Sequence, residues 1–300
     1  MHHPVSWRAL CQTGAVISPD TWGMPEAPEP LPYTVVDAHT HLASVTERVG
    51  MPVEANLELA RQVGVERLVD VGWDAASSLR CVENAANHPQ VVANVALHPN
   101  DVARHPELVE AGLAEIERMA NLGPHVRGVG ETGLDYFRTK DPADRARQRD
   151  AFAAHIAIAR SAGVTLVIHD RDAHDDVLDV LDAGPLPDRV VMHCFSGDAD
   201  FARRCSERGF WLSYPGVVTY NANAHLREAL AATPREKVLV ETDAPYLTPV
   251  PARGRPNASY LVAHTVRFVA DQRGWDLAEA CQLLTANTFE AFGGSWGDDG

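Results

Sequence analysis

The chain has 300 residues, of which 45% are hydrophobic and 22% charged, and its formal net charge is −15. These values are ordinary for a globular protein, and the acidic excess argues against broad, non-specific binding of nucleic acid. No apolar run approaches the roughly 18 residues that cross a bilayer, so we predict no membrane span.

The first 32 residues hold six of the 20 prolines and show no hydrophobic period, which predicts an irregular N-terminal extension. No basic segment followed by an apolar one opens the chain, so we predict no secretory signal. The five cysteines are widely spaced and include no CxxC pair, a pattern typical of reduced thiols. We therefore expect a cytoplasmic protein with one domain at residues 33–292 and a flexible tail at 293–300.

Within that domain, short runs of valine, isoleucine and leucine alternate with longer amphipathic stretches. Continuous apolar runs are typical of parallel strands that are buried on both faces. The predicted strands are residues 34–38, 65–71, 91–97, 126–130, 165–168, 189–192, 210–213 and 237–240. The helical patterns between them cover residues 56–63, 106–119, 145–162, 172–181, 199–208 and 222–231.

Eight β/α units in a chain of this length predict an α/β fold, a single (β/α)₈ TIM barrel. Two extra C-terminal helices, near residues 259–273 and 276–289, would complete it. The alternative is a doubly wound open sheet, but the glycine-rich phosphate turn expected after its first strand is missing. We favour the barrel.

Ionisable side chains stand where the predicted strands end. The first strand ends in Asp37-Ala-His39-Thr-His41, whose alternation puts all three ionisable side chains on one face. In a barrel of this kind, catalytic groups gather at the carboxyl ends of the strands. Taken singly, each could be a buried, hydrogen-bonded side chain, but six around one barrel mouth favour divalent metal. The six predicted ligands are His39, His41, Glu131, His169, His193 and Asp243.

Five segments in this order resemble the successive signatures of the TatD family of metal-dependent DNases, within the wider amidohydrolase group of barrels. They read DAHTH, GETGLDYF, VIHDRDA, MHCFSG and ETDAPYL, and the resemblance extends roughly from Tyr33 to Phe292. It implies that His39, His41 and Asp243 hold one metal ion and that His169 and His193 hold another. Glu131 would bridge the two ions.

The chemistry of the residues agrees with this assignment. Two ions about 4 Å apart can activate a water and hold the attacked phosphate between them. Asp243 can bind a metal and also take the proton of the attacking water, so we predict Asp243 and Glu131 as catalytic residues. Asp37 and Glu241 each lie two residues before a predicted ligand, so their side chains are expected on the same face of the strand. We interpret them as partners that orient imidazoles or fill the barrel.

Four further residues are predicted to contact substrate. His98, in a His-Pro step, could meet a substrate phosphate or a third ion, or could only fix a loop. Tyr136 offers an aromatic face for base stacking. Arg253 and Arg255 match the basic loop of the family, although Pro256 stands where the family has a basic residue. Surface salt bridges are the alternative role for these arginines.

The resemblance implies a metal-dependent hydrolase, a deoxyribonuclease acting as a 3′→5′ exonuclease on single-stranded DNA. The alternative is an amide or ester hydrolase acting on a small molecule or an aminoacyl adduct, because the same two ions can polarise a carbonyl. A third possibility is a barrel kept as a binding scaffold, but such a barrel should have lost some of the six ligands. We expect two divalent ions (Mg, Mn or Zn), DNA as substrate and no obligate protein partner.

Overall fold

The computed structural model describes residues 17–294 and Trp296. Eight parallel strands form one sheet in the order of the chain. They are β1 (Val35–Thr40), β2 (Val65–Val71), β3 (Val91–Val95), β4 (Val126–Asp135), β5 (Thr165–Arg171), β6 (Val190–Met192), β7 (Trp211–Tyr214) and β8 (Val238–Val240). The sheet curls into a nearly closed (β/α)₈ barrel, as predicted. At the seam, Thr40 bridges Ala244 and the His41 amide donates to the Ala244 carbonyl over 2.8 Å.

Helices surround the barrel. They are α1 (Leu42–Val49), α2 (Val53–Gln62), α3 (Ala75–Asn87), α4 (Pro99–Arg104), α5 (Val109–Ala120), α6 (Pro142–Ala162), α7 (His174–Asp182), α8 (Ala199–Glu207), α9 (Ala224–Ala232), α10 (Val262–Arg273) and α11 (Leu277–Phe292). The last two are the predicted C-terminal helices. Three helices were not predicted: α1, α3 and α4. None of the helices in residues 17–294 is both long and apolar enough to cross a membrane.

Two strand ends differ from the prediction and alter the position of the site. The third strand stops at Val95 rather than residue 97, because Pro99 and the cap formed by His98 begin α4. The fourth continues to Asp135 rather than ending at 130, pairing Thr132 with Ile168 and Asp135 with Arg171. Glu131 therefore lies inside β4.

The core has two layers. Inside the barrel, valines from several strands pack with Trp211 and Leu239, and Phe292 and Trp296 belong to the same apolar cluster. A larger cluster fills the space between the sheet and the helices. Burial of this much apolar surface stabilises the barrel through its hydrocarbon contacts, largely independently of the polar side chains at its carboxyl end.

The segment that precedes β1 packs on the barrel over residues 17–32. Met24 is buried, the Tyr260 hydroxyl donates to the Pro25 carbonyl over 2.6 Å, and the Leu31 amide donates to the Val63 carbonyl over 3.0 Å. Apart from one 3₁₀ turn at Pro19–Trp22, it has no regular secondary structure. Residues 1–16 of the predicted extension, and residues 295 and 297–300 of the predicted tail, lie outside the described residues.

Candidate metal centre

The end of β1 supplies two imidazoles to one face of the barrel. His39 is fully buried, and His41 is the N-cap residue that precedes α1. The Nδ1–H of His41 donates to the Val71 carbonyl over 2.7 Å. This bond engages Nδ1, so Nε2 is the ring nitrogen that faces Asp243 Oδ1 at 3.4 Å. An imidazole held in this way is prepared to bind a cation.

The two carboxylate oxygens of Glu131 face different groups of histidines. Oε2 lies 3.7 Å from Nε2 of both His39 and His41. Oε1 lies 2.7 Å from His169 Nδ1 and 3.4 Å from His193 Nε2. One buried carboxylate therefore stands between two pairs of imidazoles, with one oxygen toward each pair.

Asp243 and His193 complete the cluster. Asp243 adopts φ 51°, a left-handed conformation that aspartate tolerates, and its amide donates to the His39 carbonyl over 2.9 Å. These features bring its Oδ1 to 3.9 Å from His39 Nε2. The rings of His39 and His193 stack with centroids 3.4 Å apart. The structure thus brings together all six predicted ligands, from β1, β4, β5, β6 and β8.

The hydrogen bonding of the cluster fits a divalent cation. Both ring nitrogens of His39 and Nε2 of His169 are buried and have no hydrogen-bond partner among residues 17–294. Burying such atoms unpaired is unfavourable unless something binds them. Ligand atoms of His39, His41 and Glu131 lie within 4.8 Å of one another, as do those of His39, His193 and Asp243. Imidazole with carboxylate is a donor set that suits Zn and Mn.

Charge coupling within the cluster shifts the pKa of its members in opposite directions. Burial opposes ionisation of Glu131, but the charges of His98 and His193 and hydrogen bonds hold its pKa well below the usual range. Burial also opposes protonation of His169, yet Asp135 and Glu131 raise its pKa to about 9. Burial and the charge of His193 lower the pKa of His39 to about 3. The neighbouring carboxylates thus favour a proton on His169, and a cation that binds this imidazole must displace that proton.

Neighbouring residues hold the cluster in place. Asp37 accepts hydrogen bonds from the Thr242 amide over 2.8 Å and hydroxyl over 2.7 Å, so it positions the segment before Asp243. Glu241 accepts a hydrogen bond from the Cys194 amide over 2.9 Å and lies 2.9 Å from His193 Nδ1.

Sequence reasoning missed a further chain of contacts. Asn100 Nδ2 donates to Asp135 Oδ2 over 3.0 Å, and that oxygen lies 3.4 Å from His169 Nε2. Asp135 follows Glu131 by four residues, so it has the same side-chain parity in an extended strand. That parity was the available signal, but the predicted strand ended at residue 130.

A cavity of about 560 Å³ opens above the cluster. His98 lines it, with Nδ1 accepting from the Asn100 amide over 3.0 Å and Nε2 3.3 Å from Glu131 Oε1. The aromatic lining comes from Trp73 and Tyr246. Four arginines also line the cavity: Arg48, Arg104, Arg138 and Arg171.

Three predicted substrate contacts do not line this cavity. The Tyr136 hydroxyl donates to Asp176 over 2.6 Å, and its ring is buried. The guanidinium of Arg253 lies over the Tyr220 ring at 4.3 Å, and Arg255 donates to the Gly23 carbonyl over 3.1 Å. These side chains are engaged in contacts within the protein, away from the cluster.

Comparison with known proteins gives concordant matches. The family model described as "TatD related DNase" matches residues 36–293. An uncharacterized metal-dependent hydrolase TatD of Mycobacterium tuberculosis is 43% identical over 265 residues, 87% of this chain and 99% of the relative. A 3′-5′ ssDNA/RNA exonuclease TatD of Escherichia fergusonii is 32% identical over 233 residues, 75% of this chain and 86% of the relative. The crystal structure of YjjV, a TatD homologue of Escherichia coli, has a TM-score of 0.78 and 27% identity, covering 86% of this chain and 97% of that one.

Proposed function

The chain belongs to the TatD family of metal-dependent hydrolases, and we propose that it is a 3′→5′ exonuclease that hydrolyses single-stranded DNA with two divalent ions. The observation that carries the proposal is the position of Glu131, whose two oxygens face two separate pairs of imidazoles. A carboxylate so placed suits a bridge between two cations.

We assign the ligands accordingly. His39, His41 and Asp243 would hold one ion, His169 and His193 the other, and Glu131 would bridge them. The separation of the cluster into these two groups is supported by the contact of Asp243 with the two β1 histidines, at 3.4 and 3.9 Å.

The chemistry is phosphodiester hydrolysis. When bound, the ions supply Lewis acidity toward the phosphoryl oxygen and lower the pKa of a water. Asp243 takes a proton from the water that attacks phosphorus, the bond from phosphorus to the 3′-oxygen breaks, and the leaving oxygen takes up a proton. His98 donates from Nε2–H to a phosphate oxygen, because its Nδ1 is already occupied as an acceptor by the Asn100 amide.

The lining of the cavity favours an anionic substrate, since four of its side chains are arginines that lie beside the cluster. Support for single-stranded nucleic acid comes from the Escherichia fergusonii relative, which is named as an exonuclease of single-stranded DNA and RNA. Tyr136, Arg253 and Arg255 are not assigned to substrate, because they stand outside the cavity.

The proposal is tested by offering the protein, in separate reactions with Mg, Mn and Zn, four labelled substrates: single-stranded DNA, duplex DNA, RNA and a small aryl ester. We expect release of mononucleotides from the 3′ end of single-stranded DNA, seen as a shortening ladder of 5′-labelled strand. Hydrolysis of the ester without any cleavage of phosphodiesters would contradict the proposal and favour the carbonyl hydrolase.

A further inference from the structure

The arginines that line the cavity differ from a set of arginines that are paired with carboxylates on the outer surface. In a chain with 41 acidic and 26 basic residues, an exposed arginine is expected to find a carboxylate. Examples of such pairs are Arg61–Glu58, Arg118–Glu115, Arg149–Asp176, Arg204–Asp175 and Arg208–Asp182. Within residues 17–294, no carboxylate lies within 4.0 Å of the guanidinium of Arg48, Arg104, Arg138 or Arg171. Among the described residues these four guanidinium groups thus make no direct ion pair, although Asp101 and Asp170 line the same cavity.

Two of these four arginines lie on aromatic rings. The Arg48 guanidinium lies 4.4 Å from the centroid of the Tyr246 ring and donates to its hydroxyl over 3.1 Å. The Arg171 guanidinium lies 4.0 Å from the centroid of the Phe137 ring. Both rings are unusually exposed for large apolar side chains, at 41% for Tyr246 and 51% for Phe137. Each pair thus offers a cation beside an aromatic surface.

The two pairs stand on opposite sides of the mouth. Arg48 lies in α1, directly after β1, and Tyr246 lies in the loop after β8, which is the neighbour of β1 across the seam. Phe137 follows β4, and Arg171 ends β5, its neighbour. Because the strands run in order around an eight-stranded barrel, β4 and β5 lie half a turn from β8 and β1. The histidine and carboxylate cluster lies between the pairs.

We propose that the two pairs, Arg48 with Tyr246 and Arg171 with Phe137, hold a single polynucleotide strand on both sides of the phosphodiester that is cleaved. This inference rests on the proposed function and adds the part of the substrate that is recognised. One pair holds the terminal nucleotide and the other the nucleotide before it, so the site recognises at least two nucleotides.

The chemistry of the pairs explains the preference for a single strand. A base stacks on an aromatic side chain only when its own face is free, which duplex DNA does not allow at an internal position. The guanidinium beside each ring neutralises a phosphate without reading the base. The surface therefore binds unpaired strands of any sequence.

The test uses Arg48→Ala, Tyr246→Leu, Arg171→Ala and Phe137→Leu, with Arg208→Ala as the matched control, since Arg208 pairs with Asp182 on the surface. Binding of a fluorescent ten-nucleotide phosphorothioate strand, which keeps its charge and resists hydrolysis, is measured on the metal-loaded protein. We expect each of the four variants to bind about 5- to 100-fold more weakly than wild type, and the control to bind like wild type. The two arginine variants should also give a shallower dependence of affinity on salt, by about 0.7 per lost contact.

Turnover of the oligonucleotide and of bis(4-nitrophenyl) phosphate is measured in parallel, and thermal unfolding shows that each variant folds. The loss in kcat/KM on the oligonucleotide should exceed the loss on the small diester, which lacks a second nucleotide. If wild type cleaves single-stranded DNA while the four variants bind like the control, the strand surface is wrong and the nuclease proposal stands. If the variants lose binding but wild type cleaves no strand, the surface stands and the nuclease proposal fails. Weakening confined to one pair overturns the two-sided arrangement.

Discussion

Two regions of the molecule bury histidines, and they treat the ring nitrogens differently. In α6, His155 is buried, its Nδ1–H donates to the Ala151 carbonyl over 2.7 Å, and its Nε2 accepts from the Leu97 amide over 3.0 Å. At the carboxyl end of the barrel, both ring nitrogens of His39 are buried and lack hydrogen-bond partners among the described residues. Both regions bury their histidines, but only the ring nitrogens of His155 have hydrogen-bond partners.

The difference separates a structural role from a functional one. His155 ties α6 to the segment after β3 and so contributes to folding, as a neutral ring with both nitrogens in use. His39 has no such bonds to offer the fold, and its neighbours are carboxylates and other imidazoles. We infer that the carboxyl end of the barrel costs stability in the absence of a cation and that the α6 contact adds stability at neutral pH.

The largest effect is expected from removal of metal. Dialysis against EDTA should abolish hydrolysis, because the cluster loses the groups that activate water and phosphate. The apolar layers inside and around the barrel do not involve the cluster, so far-UV circular dichroism should change little. Restoration of activity by added Mn is the control. Cooperative loss of the helical signal on chelation would mean that the cluster is needed for folding.

The second-largest loss of activity is expected from Asp243→Asn. The amide keeps the shape of the side chain but accepts a proton far less readily, so kcat on single-stranded DNA should fall at least about 100-fold. Asp182→Asn, at a surface aspartate paired with Arg208, is the matched control and should keep wild-type kcat. Near-normal turnover of the Asp243 variant on every substrate would remove Asp243 from the proposed chemistry.

His155→Gln should change stability in a pH-dependent manner. Burial lowers the pKa of His155 to about 4, from an unfolded value of 6.5. As pH falls below 6.5, His155 therefore binds a proton in the unfolded chain before it does so in the folded protein. The stabilisation from the neutral, buried ring is thus fully present at neutral pH and is lost on acidification. Glutamine does not titrate. The free energy of unfolding of wild type should thus fall by about 2 kcal/mol more than that of the variant between about pH 7.5 and about pH 5.

Urea unfolding of both proteins, each with EDTA present, measures this difference. Parallel loss of stability in the two proteins across the same pH interval would show that the ring of His155 is not held neutral. The contact with Leu97 would then need another explanation.

The smallest effect is expected at the arginines outside the cavity. Arg253→Ala and Arg255→Ala should change KM for single-stranded DNA by less than about 2-fold, because exposed contacts of this kind contribute little. Their salt dependence should equal that of wild type. A clear rise in KM with a shallower salt slope would show that residues 253–255 also reach the strand.

The sequence predicted the fold well where the hydrophobic pattern is strong. All eight strands were predicted because continuous apolar runs repeat along the chain. Helix α3 was missed because its buried face is made of small side chains, among them Ser77, Ser78 and Ala85, rather than a run of large apolar residues. The local cap formed by Asp74 and Ser77 at its start was the available signal. The continuation of β4 to Asp135 depends on pairing with β5, which local sequence does not encode.

The cluster was predictable because each of its members stands at or just beyond an apolar run. The sequence could not separate the arginines that line the cavity from surface arginines, since several surface pairs join residues that are distant along the chain. Arg149 meets Asp176 across 27 positions, whereas Arg171 meets the ring of Phe137. The sequence favoured Arg253 and Arg255 and also placed Arg171 near the mouth, after His169, whereas only the folded chain directs attention to Arg48.

We propose that the carboxyl end of the barrel holds divalent cations through the unsatisfied histidines and Glu131. Calorimetric titration of chelated protein with Mn, Zn and Mg, combined with elemental analysis, tests it most directly. We predict about two ions per chain for wild type, release of protons on binding, loss of binding in Glu131→Gln and unchanged binding in His155→Gln. Absence of any site for these ions up to millimolar concentration, or equal loss in both variants, would contradict the account.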